Sequence, residues 1–251
     1  MQIQQKENGL RESTSFRNDV NTIGPIGENR LKEIFGSKCV YEDISDDKRF
    51  RIFDIDFIKY NDGIKDRERV LNAFYEGYSG ASVNATTYEV KTDTALFKYR
   101  NMVYEELSHG NPGCLARSKA DVVFYLAIDN MGRILEEMAI DLHKLRVWKM
   151  KHGESLNRLT EGAIGRYKGK ISKLDAKNEY QREDLEMCLS DMQAFQNSGK
   201  KKLLLEQKYM NRGEDKTLIT CIDVDFLIEN YGPKSDISDE KRIIKYYKKY
   251  E

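Results

Sequence analysis

The chain has 251 residues, with 42 Lys+Arg against 42 Asp+Glu, so its formal net charge is zero although 33% of its residues are charged. A chain of this length can bury a substantial core, and it has no apolar run of about 18 residues that would span a membrane. Its first residues have no apolar segment typical of a secretion signal, and its four cysteines lie far apart without a Cys-x-x-Cys pair. We therefore expect a cytoplasmic protein without a membrane partner, a disulfide framework or a zinc knuckle.

The zero net charge hides an asymmetry along the chain. Residues 1–143 carry 19 basic and 24 acidic side chains, whereas residues 144–251 carry 23 and 18. Phosphate contact depends on local charge rather than on the total, so the basic stretch from 144 to 173 is a candidate nucleic-acid-binding surface. The alternative is a solvated helix face. The candidate contacts are Lys144, Arg146, Lys149, Lys151, Arg166, Lys168 and Lys170.

Hydrophobic periodicity predicts an α/β fold. Apolar spacing predicts helices over 27–35 and 131–151, and alternation or β-rich composition predicts strands over 49–60, 86–92, 101–107, 121–128 and 217–228. In the strand over 49–60, Asp54 and Asp56 would share one face. The expected organisation is a flexible N-terminus (1–23), a core (24–153), a helical insertion (154–214), a strand returning to the core (215–232) and a basic C-terminal helix or tail (233–251).

The acidic residues of two of these strands form the most informative pattern. Asp54 and Asp56 lie on one strand, and Glu89-Val90-Lys91 follows on the next core strand. If the strands pair, two carboxylates and the Val90 carbonyl come together as hard oxygen ligands suited to Mg²⁺ or Mn²⁺. Such an ion lowers the pKa of a bound water and offsets charge on a phosphate. Lys91 shares a face with Glu89 and can orient or deprotonate the attacking water; the alternative is a set of surface charges on an exposed strand.

Three segments resemble motifs of a known superfamily. They are Glu89-Val-Lys-Thr-Asp93, Asn101-Met-Val-Tyr-Glu105 and Ser118-Lys-Ala-Asp-Val122. Together with the order of predicted elements they resemble the PD-(D/E)xK phosphodiesterases, the restriction-endonuclease-like and resolvase-like nucleases, and within these the phage-type members. The resemblance covers residues 27–150 and implies an αβββαβ core with a mixed sheet, here interrupted by the helical insertion.

Residue by residue, the resemblance implies a divalent-metal site. Asp56 and Glu89 would bind the metal, and Lys91 would be the catalytic lysine. Asp54 competes with Asp56 for the ligand role. Glu28 occupies the place where some members have a helix glutamate near the metal, and Lys119 lies where a second lysine can face the phosphate.

The expected function is therefore that of a Mg²⁺- or Mn²⁺-dependent endonuclease of phage type, acting on DNA in the host cytoplasm. The choice between DNA and RNA, between endonuclease and exonuclease action, and between monomer and homodimer stays open. The alternative is a catalytically silent nucleic-acid-binding or phage assembly protein on the same fold, because a fold does not by itself imply activity. The complete Asp/Glu/Lys set favours the enzyme.

Overall fold

A computed structural model describes residues 23–108, 110–174, 178–200, 202–212 and 215–250. Within these residues the chain forms ten strands: β1 (Val40–Asp43), β2 (Phe57–Tyr60), β3 (Ala85–Asp93), β4 (Asn101–Ser108), β5 (Asn111–Pro112), β6 (Val122–Ile128), β7 (Ile134–Asp141), β8 (Leu205–Arg212), β9 (Asp215–Asp223) and β10 (Ile244–Lys249). The α-helices of the same residues are α1 (Gly24–Phe35), α2 (Lys48–Arg51), α3 (Arg67–Tyr75), α4 (Leu96–Tyr99), α5 (Cys114–Arg117), α6 (Leu142–Lys151), α7 (Thr160–Ile171), α8 (Glu179–Asn197) and α9 (Val224–Tyr231).

The strands form two sheets. The larger is a mixed sheet of six strands in the order β1-β2-β3-β6-β7-β10, and the smaller has the order β5-β4-β9-β8. All neighbours in the larger sheet are antiparallel except β3 and β6, which are parallel. The predicted α/β class is confirmed. No helix in the part of the chain that the structure describes is both long and apolar enough to cross a membrane.

The centre of the large sheet explains why its strands form where they do. Every residue of β6 is buried, as expected for a strand with a parallel neighbour and covered faces. On one face, α1 packs Leu31 and Phe35 against Phe57 and Phe124. The helix approaches β3 closely at Gly27, where a Cβ atom would lie 2.4 Å from Thr92 Oγ1. The predicted helix over 27–35 and the predicted strands over 86–92 and 121–128 are confirmed.

Two predictions in the first 150 residues were wrong in part. The stretch 49–60 is not one strand: Asp47 caps the short helix α2 by accepting a hydrogen bond from Arg49 N, and β2 begins only at Phe57. The stretch 131–151 is not one helix, because β7 occupies its first half and pairs with β6 as a hairpin. Within β7, Glu136 and Glu137 are both fully buried.

The C-terminal predictions also need correction. The region 154–214 contains the helices α7 and α8 but also the strand β8. The strand β9 does not return to the large sheet, since it pairs with β4 and β8, and the chain then continues as α9. The basic end of the chain is neither helix nor tail, because β10 pairs with β7 at the edge of the large sheet. The flexible segment predicted over 1–23 lies outside the described residues, apart from residue 23.

The helices α7 and α8 belong to the main core. Tyr167 and Phe195 are fully buried in the cluster that also contains Trp148. Asp191 on α8 joins them to α6 and α9: its Oδ2 accepts hydrogen bonds from Trp148 Nε1 (3.0 Å) and Tyr231 OH (2.6 Å). The insertion expected from the sequence is therefore packed into the fold as one of its layers.

We expect Phe195→Ala to destabilise the protein by about 3–5 kcal/mol, because it removes a fully buried aromatic side chain and leaves a cavity. Tyr180→Ala on the same helix is the matched control, since that side chain is 87% exposed, and should change stability by less than about 0.5 kcal/mol. Urea unfolding of both variants measures the difference. Equal effects would show that α8 is not part of the core.

The same cluster predicts a pH dependence. His152 is fully buried, with Nε2 2.8 Å from Asp191 Oδ2. Burial lowers the pKa of this imidazole, but Asp191 and Cys188 together outweigh burial and raise the pKa to about 9. A raised histidine pKa stabilises the fold fully below the unfolded pKa of 6.5, and this contribution is lost as the pH rises through 9. Between those pH values the free energy of unfolding should fall by up to about 3 kcal/mol more in the wild type than in His152→Gln. Parallel pH curves for the two proteins would contradict this.

Candidate active site

The site is built around the pairing of β2 with β3. Asp56 lies one residue before β2; its N–H donates to the Tyr88 carbonyl, and its Oδ2 accepts from the N–H of Val90, each at 2.8 Å. The Asp56 side chain thus accepts a hydrogen bond from β3 just beyond the point where β2 ends. The carboxylate of Asp56 is thereby held beside the backbone of Glu89 and Val90.

Glu89 and Lys91 lie on one face of β3, two residues apart. The glutamate is only 5% exposed, and its Oε1 is 2.6 Å from Lys91 Nζ. Burial raises the pKa of Glu89; Lys91 opposes this and Asp56 adds to it, and the resulting pKa is about 8. Burial likewise raises the pKa of Asp56, although the hydrogen bond from Val90 and the charge of Lys91 lower it. Asp56 and Glu89 are therefore both shielded from water and lie close enough for their charges to interact.

The lysine of this site stays charged. Burial lowers the pKa of Lys91, but Glu89, Cys114 and Asp56 together outweigh burial, so the pKa lies above its usual value. Beyond Lys91 lies Cys114, whose thiol donates a hydrogen bond to Glu105 Oε2 at 3.1 Å. Burial raises the pKa of this thiol to about 12, against the charge of Lys91. A neutral thiol and a charged lysine thus face the acids.

Glu28 approaches from the other side of the sheet. Its helix α1 packs on Val90 and Thr92, which face away from Glu89 and Lys91. Glu28 is half-buried, and its pKa is raised by burial and then by the charge of Asp56. The helix glutamate therefore adds negative charge near Asp56, without a described contact to Glu89.

Asp54 has a different environment from Asp56. The sequence pattern placed both on one face of a strand, which is wrong, because Asp54 adopts a left-handed conformation with φ +48°. Its two carboxylate oxygens accept from Arg117 Nε and Nη2, each at 2.7 Å, and its carbonyl accepts from Ser118 Oγ at 2.8 Å. Asp54 therefore holds the turn that delivers Asp56 to β3, and its carboxylate is engaged by an arginine.

Lys119 lies at the edge of this arrangement. Its backbone N–H donates to the Phe53 carbonyl at 2.7 Å, which ties the segment after α5 to the turn before Asp56. The side chain is exposed and forms no ion pair with any residue in the described ranges. It is thus a free cation beside the turn.

The basic stretch predicted to bind nucleic acid is only partly exposed. Arg146 donates to the carbonyls of Leu115 and Ser118, and Lys149 pairs with Glu106 at 2.5 Å. Most other members are also engaged: Lys144 with the Asp239 carbonyl, Lys151 with Asp184, and both Arg166 and Lys170 with Glu154. Lys168 alone of the seven is exposed without an ion pair within the described residues. The α6 side chains are engaged because that helix packs between other elements, whereas Arg166, Lys168 and Lys170 of α7 stay exposed.

Sequence reasoning missed a basic and apolar surface next to the acids. Arg51 and Arg117 are 61% and 49% exposed at their side chains, and Ile52 is 58% exposed. The run Lys48-Arg49-Phe50-Arg51-Ile52-Phe53 directly before Asp54 was the available signal. This signal is hidden because the alternation of residues predicts a strand over the same stretch.

The donor set fits a magnesium-type ion. Within the described residues, no three or more His, Cys, Asp or Glu side chains form a group arranged to hold a metal. Mg²⁺, however, is commonly held by one or two carboxylates together with water and substrate phosphate. Asp56 Oδ1 and Glu89 Oε2 accept no hydrogen bond from the described residues. Both pKa values are raised chiefly by burial and further by neighbouring carboxylates, and a bound cation would oppose both effects.

A comparison with known proteins finds no match among family models, curated proteins or solved structures.

The left-handed turn predicts how Asp54 responds to substitution. Asparagine and glycine tolerate positive φ, whereas alanine in this conformation costs about 1–2 kcal/mol. Loss of the Arg117 pair should cost less, about 0.2–1 kcal/mol, since the arginine is half-exposed. We therefore expect Asp54→Ala to be about 1 kcal/mol less stable than Asp54→Asn in urea unfolding. Equal stabilities would mean that the turn does not need this conformation.

Proposed function

We propose that this protein is a Mg²⁺- or Mn²⁺-dependent nuclease that hydrolyses phosphodiester bonds of DNA. The observation that carries the proposal is the hydrogen bond from Val90 N–H to Asp56 Oδ2, which holds one carboxylate beside that of Glu89. Lys91 lies on the same face as Glu89, with its ammonium group 2.6 Å from that carboxylate. Two desolvated acids and a charged lysine are the groups that metal-assisted phosphoryl chemistry requires.

The order of elements supports the same proposal. A helix, three antiparallel strands and a further strand parallel to the third correspond to α1, β1–β3 and β6. This arrangement is similar to the αβββαβ order that the resemblance to PD-(D/E)xK phosphodiesterases implies. The connection between β3 and β6 departs from it, because α4, β4, β5 and α5 replace one longer helix.

Each residue has a distinct role in the proposed reaction. Asp56 and Glu89 would hold the ion, which when bound lowers the pKa of a water and offsets charge on the phosphate. Because Lys91 has a raised pKa and stays protonated, it serves as a donor that orients the water and stabilises charge on phosphorus, rather than as a base. Asp54 acts through the turn, as a positioning residue for Asp56.

Substitution of the acids and substitution of the lysine should reduce cleavage in different ways. Glu89→Gln keeps the shape but removes the charge that holds the cation, so cleavage should fall by about 10²–10³ and recover partly with more Mn²⁺. Asp56→Asn should behave alike, because the amide oxygen can still accept from Val90 N–H. Lys91→Ala should lose similar activity without rescue by metal. Cleavage rates across a Mn²⁺ titration test this.

Lys59→Ala is the matched control, since this β2 lysine is half-buried and forms no ion pair in the described part of the chain. Asp54→Asn should lose less activity than Asp56→Asn. If the wild type with Mg²⁺ or Mn²⁺ cuts no single-stranded, duplex or branched DNA and no RNA, the nuclease proposal fails. The catalytically silent nucleic-acid-binding protein then takes its place.

A further inference from the structure

An exposed surface of cations and apolar side chains adjoins the turn that carries Asp54. We call it the basic-aromatic surface and define it by Arg51, Ile52, Tyr75, Arg117 and Lys119. Ile52 is 58% exposed and Tyr75 is 60% exposed, while Lys119 is exposed and unpaired among the described residues. Tyr75 packs on Phe53 yet stays 60% exposed on the surface that carries the unpaired Lys119, so its ring is open to a stacking partner.

The parts of this surface are held together by specific contacts. The ring of Phe53 packs on those of Phe74 and Tyr75, with centroids 5.4 and 5.5 Å apart. The Phe53 carbonyl accepts from Lys119 N–H, and the next residue, Asp54, pairs with Arg117. The turn at Phe53 and Asp54 therefore holds Tyr75 of α3, Arg117 at the end of α5 and Lys119 in a single arrangement. Two residues further along the chain, Asp56 enters the acidic site.

The charges of this surface suit an anion. The carboxylate of Asp54 is spent on Arg117. Asp46, which faces Arg51 at 3.5 Å, is fully exposed, so this pair is weak. With Arg117 paired to Asp54 and Arg51 only weakly paired, the uncompensated positive charge of this surface comes from Lys119 and in part from Arg51. A nucleic acid backbone meets the cations in any form, but a base meets the ring only when its face is free.

We propose that the basic-aromatic surface binds unpaired nucleotides next to the acidic site, with a base stacked on Tyr75 and phosphates at Lys119 and Arg117. This rests on the proposed nuclease function and gives its substrate class: DNA that contains single-stranded nucleotides, such as a free strand, a flap or a branch. A fully paired, blunt duplex offers phosphates but no free base face.

The test measures binding without metal, so that it does not depend on cleavage. The full chain in EDTA is titrated into a fluorescent single-stranded oligonucleotide and into a blunt duplex of the same sequence. Stacking contributes about 1–3 kcal/mol per base, so Tyr75→Ala should weaken single-strand binding by about 5- to 150-fold and leave duplex binding unchanged. Tyr75→Phe keeps the ring and should bind like the wild type. Tyr209→Ala removes a remote tyrosine that is 64% exposed and should have no effect.

A second variant separates phosphate contact from stacking. Lys119→Ala should reduce the slope of log K against log salt on the single strand by about 0.7, whereas Tyr75→Ala should leave the slope unchanged. Circular dichroism checks that both variants fold, as their exposure leads us to expect.

Three results would overturn the inference: equal loss on single strand and duplex in Tyr75→Ala, no loss at all, or a wild type that binds neither DNA. The inference and the nuclease proposal can fail separately. Cleavage that depends on Glu89 with no effect of Tyr75 on binding removes the inference alone. Binding that depends on Tyr75 in a protein that never cuts removes the nuclease proposal and keeps this surface as a nucleic-acid-binding one.

Discussion

The candidate site depends on one hydrogen bond, from the backbone N–H of Val90 to Oδ2 of Asp56. Regular pairing of β2 with β3 starts at Phe57 opposite Tyr88. The N–H of Val90, two residues further along β3, therefore has no backbone acceptor from β2. A buried N–H without a partner is costly, and the aspartate side chain satisfies it. The same bond that completes the sheet therefore places a carboxylate beside Glu89. This one hydrogen bond therefore serves both the sheet and the candidate site.

Elsewhere in the fold, buried acids are stabilised by ion pairs with specific arginines. Glu136 and Glu137, adjacent on β7 and both fully buried, pair with Arg100 and Arg30, each at 2.7 Å. Removing one partner of such a pair would leave an uncompensated charge. In the candidate site the pairing is incomplete, because Glu89 and Asp56 share the single ammonium group of Lys91. This deficit of positive charge distinguishes the site from the structural ion pairs.

The basic side chains divide into two groups according to their surroundings. Those of α6, such as Arg146 and Lys149, connect the helix to carbonyls and acids of other elements. Those around the turn at 51–54, such as Arg51 and Lys119, stay exposed. The α6 group is largely engaged although it belongs to the denser run in the sequence, whereas Lys168 of that run and the side chains around the turn stay exposed. Charge density along a chain thus says little about charge available at the surface.

The sequence by itself determined the helix over 27–35 and the strands β3 and β6, because each follows from local periodicity. It also singled out Asp54, Asp56, Glu89 and Lys91 as candidate site residues, because these depend on a local motif. Only the tertiary structure separated Asp54 from Asp56, since the choice depends on a left-handed residue and on Arg117, 63 residues away. It also decided that 134–141 and 244–249 are strands, because β7 pairs with its neighbour β6 and with the distant β10, and these pairings outweigh local helical spacing.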